Sequence, residues 1–232
     1  MSLRYDQIET GLNAIHDRIT RAALSAGRDP QEITLVVVTK TFPVSDLDIL
    51  YQLGERNFGE NRIADGELKA GELPDDVVWH FQGQIQSNKL KSLLSWVNVI
   101  HSLDDFGHAR KIQSLLPDGR SVDVYLQVRL DQRDDVSQRG GVWPDNLPQF
   151  VSEVANLNKL SIRGLMAVAP LDEEPEQSFA RLEEIHRSVE DEFANSGLNL
   201  RGLSAGMSAD FESAIRHGAT LVRIGSSILG LR

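Results

Sequence analysis

The stretch LVVVTKTFP, residues 35–43, sets a lysine directly after an apolar run, and how that run is read decides the fold. Its near-continuous Leu and Val suit a strand covered on both faces, the condition of a parallel sheet, rather than the alternation of a half-solvated one. The same kind of run recurs along the chain. Counting ITLVVVT (33–39) as the first, the others are RNFG (56–59), VVWHFQG (77–83), WVNVIHS (96–102), VDVYLQV (122–128), LSIRGLMAVA (160–169), LNLRGLSAG (198–206) and TLVRIG (220–225). Helical patterns such as VSDLDILYQLG, QSNKLKSLLS and PEQSFARLEEIHRSVEDEFANSG separate them. Eight strand–helix units predict an α/β fold, a single (β/α)8 TIM-type barrel forming one domain over residues 1–232. An open doubly wound sheet is the competing architecture, and the eightfold count favours the barrel.

Upstream of the first run, Ile8, Leu12, Ile15, Ile19, Ala22 and Ala23 recur at spacings of three and four, with Gly27 at the C-cap position. An extra N-terminal amphipathic helix therefore precedes the barrel. It packs on the barrel or on another copy; with no large apolar stripe left over, a monomer is expected. The 232 residues, 41% hydrophobic, suffice for the core of one such barrel. No apolar run approaches the roughly 20 residues that cross a bilayer, and MSLRYDQIETGL is too polar for a signal peptide, so a soluble, cytoplasmic protein is expected. Zero cysteines exclude disulfides, thiolate metal sites and a Cys nucleophile. With 34 Asp plus Glu against 24 Lys plus Arg, the net charge of −10 repels a phosphate backbone, and no basic stripe offsets it; nucleic acid is not an expected partner.

In a barrel of this kind the functional face lies at the C-terminal ends of the strands. The first strand ends in Lys40, the second in Gly59-Glu60-Asn61, the third carries His80 and Gln82, and the fourth ends at His101-Ser102. After the seventh, SAGMSAD (204–210) supplies Gly206 for close backbone approach and Met207-Ser208 at a helix start; after the eighth, RIGSS (223–227) repeats the device with Gly225 and Ser226. Such Gly-Ser turns merely cap helices in many proteins, but two of them at adjacent strand ends favour an anion cradle for a phosphate. Lys40 belongs to the same mouth, because closing the ring makes the first strand the neighbour of the eighth. An ammonium there acts as a point charge on the phosphate, as an amine nucleophile toward a carbonyl once desolvation favours its neutral form, or as a snorkelling structural residue. His80 and His101 end neighbouring strands, yet no third ligand converges on them, so no metal is expected. His16, His108, His186 and His217 fall on helices and read as surface or boundary residues.

Seven stretches together, VVVTKTFP (36–43), FGENR (58–62), WHFQGQIQSNK (79–89), HSLD (101–104), RGLMAV (163–168), SAGMSADFESAI (204–215) and VRIGSSILG (222–230), resemble the pyridoxal 5′-phosphate homeostasis proteins, the YggS/PROSC-type family related to the barrel domain of bacterial alanine racemases. The resemblance implies a pyridoxal phosphate binding protein that holds the cofactor as a Schiff base on Lys40. It implies that Met207, Ser208, Gly225 and Ser226 hold the phosphate through backbone N–H groups and hydroxyls, that Arg223 faces the pyridine nitrogen, and that Asn61 lies near the ring. His80, Ser87 and Asn88 match family positions as well; fixing the loop after the third strand by side-chain to backbone bonds accounts for them equally.

Related racemases need a tyrosine acid/base on the face opposite the lysine, supplied by a second domain and a partner subunit. Here the chain stops at Arg232, and Tyr5, Tyr51 and Tyr125 fall on the leading helix, a peripheral helix and mid-strand. The expectation is a non-catalytic role in pyridoxal phosphate supply, with apo-enzymes that need the cofactor as recipients; the alternative is an amino-acid enzyme with weak racemase-type activity. One departure stands out: after the fifth strand, where the family often shows Lys-Ser-Gly, this chain has Gln138-Arg139-Gly140. The surrounding loop, 130–146, reads as a solvated surface loop or as a lid.

Overall fold

The computed structural model describes residues 3–131 and 140–230. Strands and helices alternate as α1 (Leu3–Ser25), β1 (Thr34–Val38), α2 (Val44–Gln52), β2 (Asn57–Glu60), α3 (Ile63–Ala70), β3 (Val78–Phe81), α4 (Leu90–Trp96), β4 (Val99–Leu103) and α5 (Phe106–Leu115). They continue as β5 (Val122–Gln127), α6 (Leu147–Ala155), β6 (Leu160–Met166), α7 (Pro175–Glu192), β7 (Gly202–Ser204), α8 (Phe211–Arg216), β8 (Leu221–Ile224) and α9 (Ser226–Leu229). All eight strands are parallel and the ring closes, with β1 between β2 and β8. The apolar runs require this, since one face of each strand meets the surrounding helices and the other meets the barrel interior.

Closure rests on the leading helix. The eighth unit ends in the four-residue α9, too short to cover the seam between β8 and β1, and α1 lies over α9, α8 and α2 in its place. Ile8, Leu12, Ile15, Ile19, Ala22 and Ala23 are all buried, so the spacing of three and four marks one face and that face is used within the chain. Arg4 ties the helix down: its guanidinium bonds the buried Asp46 carboxylate (Nε to Oδ1 3.0 Å) and the carbonyl of Leu229 (3.0 Å).

Some segment limits differ from expectation. The seventh run was expected over 198–206, but β7 holds only Gly202–Ser204, which pairs with β6 from Gly202, opposite Gly164, and meets β8 at Ser204, opposite Leu221. Trp96, expected to open the fourth strand, ends α4 instead, with its ring edge-on to Trp79 and Phe81. His186, expected at the surface or its boundary, is buried on α7 and reaches the Leu200 carbonyl through Nε2 at 2.8 Å. That bond pins the coil leading into β7.

Inside the ring, Val36, Val99, Tyr125, Met166 and Leu221 pack together. They share the space with four buried polar residues, His80, His101, Ser204 and Arg223. Polar groups so placed must be matched to one another, since no water reaches them.

Candidate functional site

At the C-terminal end of the barrel a cavity of about 510 Å³ opens, a volume suited to a cofactor-sized ligand. Lys40, Asn61, Met207, Ser208, Arg223, Gly225 and Ser226, from four different strand ends, all line it. Val38, Met166 and Val168 supply apolar wall, and Gln82 stands at the β3 side. Sequence motifs had drawn attention to Gln82 without committing it to the site; Thr41, Phe42, Ala209 and Gly230, which fall within the quoted stretches but were given no role, also line the cavity.

Lys40 sits in a turn closed by the Phe42 N–H on the Thr39 carbonyl at 3.1 Å. The next residue, Thr41, has φ +70°, a left-handed conformation that a β-branched residue adopts only at a cost. The turn is braced from behind. Lys69 Nζ donates to the Thr39 carbonyl (2.8 Å) and pairs with Glu60 Oε1 (2.6 Å), which also accepts from Thr39 Oγ1 (2.6 Å). Glu60 is fully buried and Lys69 nearly so. This buried pair gives a role to the Glu of the FGEN motif, and it was missed because its partner lies on the following helix. The Lys40 side chain itself is exposed at the rim of the cavity.

Opposite Lys40 stand the two turns. Gly206 has φ +91° and presses on Phe211 and Ala214, where a Cβ would stand 2.7 Å from Phe211 Cα. At Gly225 a Cβ would lie 2.6 Å from the Val38 carbonyl oxygen, so the turn after β8 lies directly on β1, two residues before Lys40. Ser226 Oγ and Ser208 Oγ meet at 3.2 Å across the turns. In α9 the first N–H bonded within the helix is that of Ile228, to the Gly225 carbonyl (3.0 Å), which leaves those of Ser226 and Ser227 ahead of it. Two expectations change here. Ser208 lies in a turn, because α8 begins only at Phe211, and the Met207 N–H is taken by Asp210 Oδ1 (2.6 Å), so Met207 offers its side chain rather than a backbone donor.

Arg223 projects from β8 into the same cavity. Its guanidinium donates to Ser204 Oγ (2.6 Å) and to the Ala167 carbonyl (3.1 Å); burial lowers its pKa to about 10, which leaves it a cation at neutral pH. Ser87 and Asn88 are exposed on the loop before α4 and take no part in the cavity or in a loop-fixing bond among the described residues. Gln138 and Arg139, where the family's Lys-Ser is replaced, lie outside the described residues; Gly140 accepts a bond from Gln127 Nε2 (2.8 Å).

The closed parallel barrel carrying this mouth is of the alanine racemase N-terminal type: the sequence profile of that family, alanine racemase, N-terminal domain, matches residues 11–232. Over 247 residues the chain is 36% identical to the pyridoxal phosphate homeostasis protein of Mycobacterium leprae (strain TN), spanning 98% of this chain and 93% of that one. The chain belongs to the pyridoxal phosphate homeostasis protein family. Two solved structures share its fold. A protein of unknown function from Bifidobacterium adolescentis superposes with a TM-score of 0.89 at 28% identity, over 98% of this chain and 96% of that one. PipY of Synechococcus elongatus PCC7942, solved with pyridoxal phosphate bound, superposes with a TM-score of 0.78 at 30% identity, over 92% and 100%.

Proposed function

We propose that the mouth binds pyridoxal phosphate, that Lys40 holds its aldehyde as a Schiff base, and that the protein serves cofactor homeostasis as a carrier rather than as a catalyst. The observation that carries this reading is that one amine, one buried guanidinium and two Gly-Ser turns surround a single cavity of about 510 Å³. When bound, the group supplies an electrophilic aldehyde on an electron-withdrawing ring.

The residues of this chain do the rest. Ser208, Ser226 and the N–H groups at the start of α9 grip the phosphate, and the contact of Gly225 with Val38 sets their distance from Lys40. Asn61 and the apolar wall hold the ring against water. Arg223, permanently charged, disfavours a second positive charge on the ring nitrogen, and that weakens the ring as an electron sink. No tyrosine stands at the cavity as a second acid/base among the described residues: Tyr51 is on α2, bonded to Asp76 (2.8 Å), Tyr5 is on α1, and Tyr125 is stacked on His101 inside the barrel. Delivery to recipient apo-enzymes in the cytoplasm, by a single-domain monomer, belongs to the same reading.

Mixing the purified protein with pyridoxal phosphate, reducing with borohydride and mapping the modified peptide tests it. A stoichiometric adduct on Lys40 is expected; an adduct spread over surface lysines overturns the assignment. The cradle is tested separately by Ser208→Ala combined with Ser226→Ala. Losing two hydroxyls from an anion should weaken pyridoxal phosphate about tenfold to a hundredfold, with pyridoxal, which lacks the phosphate, unaffected. Equal losses for both ligands would place the anchor elsewhere. Deuterium exchange at Cα of alanine should run no faster than with the free cofactor; rapid exchange would make the protein an enzyme.

A further inference from the structure

Five polar residues from five strands form an unbroken hydrogen-bonded chain inside the barrel. Arg223 Nη1 meets Ser204 Oγ at 2.6 Å, Ser204 Oγ meets His101 Nδ1 at 2.8 Å, His101 Nε2 meets His80 Nδ1 at 2.9 Å, and His80 Nε2 meets Asn57 Oδ1 at 3.1 Å. All but Asn57 are buried, and only Arg223 reaches the cavity.

Proton accounting fixes the direction of the chain. A guanidinium only donates, so Ser204 Oγ accepts from it. The hydroxyl's own proton then has His101 Nδ1 as its single acceptor among the described residues. His101, neutral because burial holds its pKa well below the usual imidazole value, therefore carries its proton on Nε2 and gives it to His80 Nδ1. His80, pushed down to about 3 by burial, carries its proton on Nε2 as well and gives it to the Asn57 carbonyl oxygen. Every donor has an acceptor. The opposite order leaves the Ser204 proton without one and requires Asn57 to turn its amide round.

Run in this direction, each lone pair faces Arg223, and the aligned dipoles reinforce one another in a medium of low dielectric constant. The buried cation is thereby stabilised without an ion pair among the described residues; Asp210 acts on it only through space. With Nη2 held by Ala167, two bonds lock the plane of the guanidinium.

We propose that His101 and His80 are positioning residues for Arg223, holding its guanidinium as a fixed donor toward the ring nitrogen of a ligand in the cavity. The identity of that ligand rests on the pyridoxal phosphate reading; the chain itself does not. In ligand-free protein with 15N-labelled histidine, long-range 1H–15N correlation should show both rings protonated on Nε2 alone, and a proton on His101 Nδ1 would overturn the proposal. Slowed rotation of the Arg223 guanidinium should also appear in the ligand-free protein and be lost in Ser204→Ala.

Next, wild type, His101→Phe, His101→Gln and Ser204→Ala are loaded with pyridoxal phosphate labelled with 15N in the ring. His101→Phe keeps the stack on Tyr125 but breaks the chain twice. It and Ser204→Ala should shift the ring-nitrogen resonance and weaken retention about tenfold. His101→Gln, which accepts and donates at opposite ends of its amide, should restore both. Should His101→Phe fail to fold, Ser204→Ala, which removes only a hydroxyl, carries the same test, and an unchanged resonance there sinks the proposal. A wild-type protein that takes up no pyridoxal phosphate would remove the functional reading alone, and the tautomers and the guanidinium rotation would still decide for or against the chain.

Discussion

Replacing Lys40 with alanine is expected to abolish borohydride-fixed pyridoxal phosphate while leaving the barrel folded. The side chain is exposed and makes no hydrogen bond or ion pair among the described residues, so its loss removes no polar contact, whereas the brace behind it, Thr39, Glu60 and Lys69, is untouched. Only the two turns and Arg223 then hold the ligand. Their charge-assisted bonds, roughly 1.5–3 kcal/mol each, leave reversible binding that dialysis removes. Lys40→Arg separates the two uses of a cation at this position, because it keeps the charge and lacks the nucleophilic amine. Phosphate-dependent affinity near that of wild type, with no covalent adduct, is the expected result, read by intact-protein mass after reduction. A full-strength adduct in either variant would mean that the amine lies elsewhere.

Acid should weaken the fold well before the carboxylates titrate. His80 and His101 stay neutral in the folded protein because burial disfavours their charged forms, His80 at about 3 and His101 well below the ordinary value. In the unfolded chain both take up a proton near pH 6.5. Below that pH the unfolded state binds more protons than the native one, so stability falls as pH falls, by about 1.4 kcal/mol per unit for each ring. Between pH 6.5 and 5 the two together cost about 3 kcal/mol, a large part of the 5–15 kcal/mol typical of a folded domain. His16, whose pKa Glu55 raises through a side-chain bond, works in the opposite direction, but it is a half-exposed surface pair worth a fraction of a kcal/mol. Glu176, held at about 2 by Arg216 and Ser213, titrates below this window. Urea unfolding at pH 7 and pH 5 checks the figure. Equal midpoints would show that the imidazoles are not held neutral, whereas a variant with both histidines changed to glutamine should lose the slope.

The parts of this molecule written locally were the parts open to reading. The stripe of α1 follows from residues three and four apart, and the strands from unbroken apolar runs, because those patterns answer to neighbours a few positions away. The seven residues around the cavity were accessible because a barrel brings strand ends together whatever its sequence. What could not be read depends on how far one strand slides against the next. β7 was overextended because its length is set by its register against β6 and β8, and Ser208 was placed in a helix because nothing local shows that α8 waits until Phe211. The chain from Asn57 to Arg223 joins residues up to 103 positions apart at a single link, His101 to Ser204. Its one linear trace is a polar residue set within each otherwise apolar strand, as in VWHF, VIHSL and LVRI.

The contact of Gly225 with Val38 has a further effect. The amine comes from the first strand and the grip from the last two, so whatever the mouth holds is clasped across the ring's only seam. A ligand at a hundred times its dissociation constant adds about 2.7 kcal/mol to the folded state, and here that gain falls on the joint that must part when the ring opens. A chain lacking its eighth strand would own the hook without the eye. Cargo is thus admitted only by a finished ring, and its presence helps keep the ring shut.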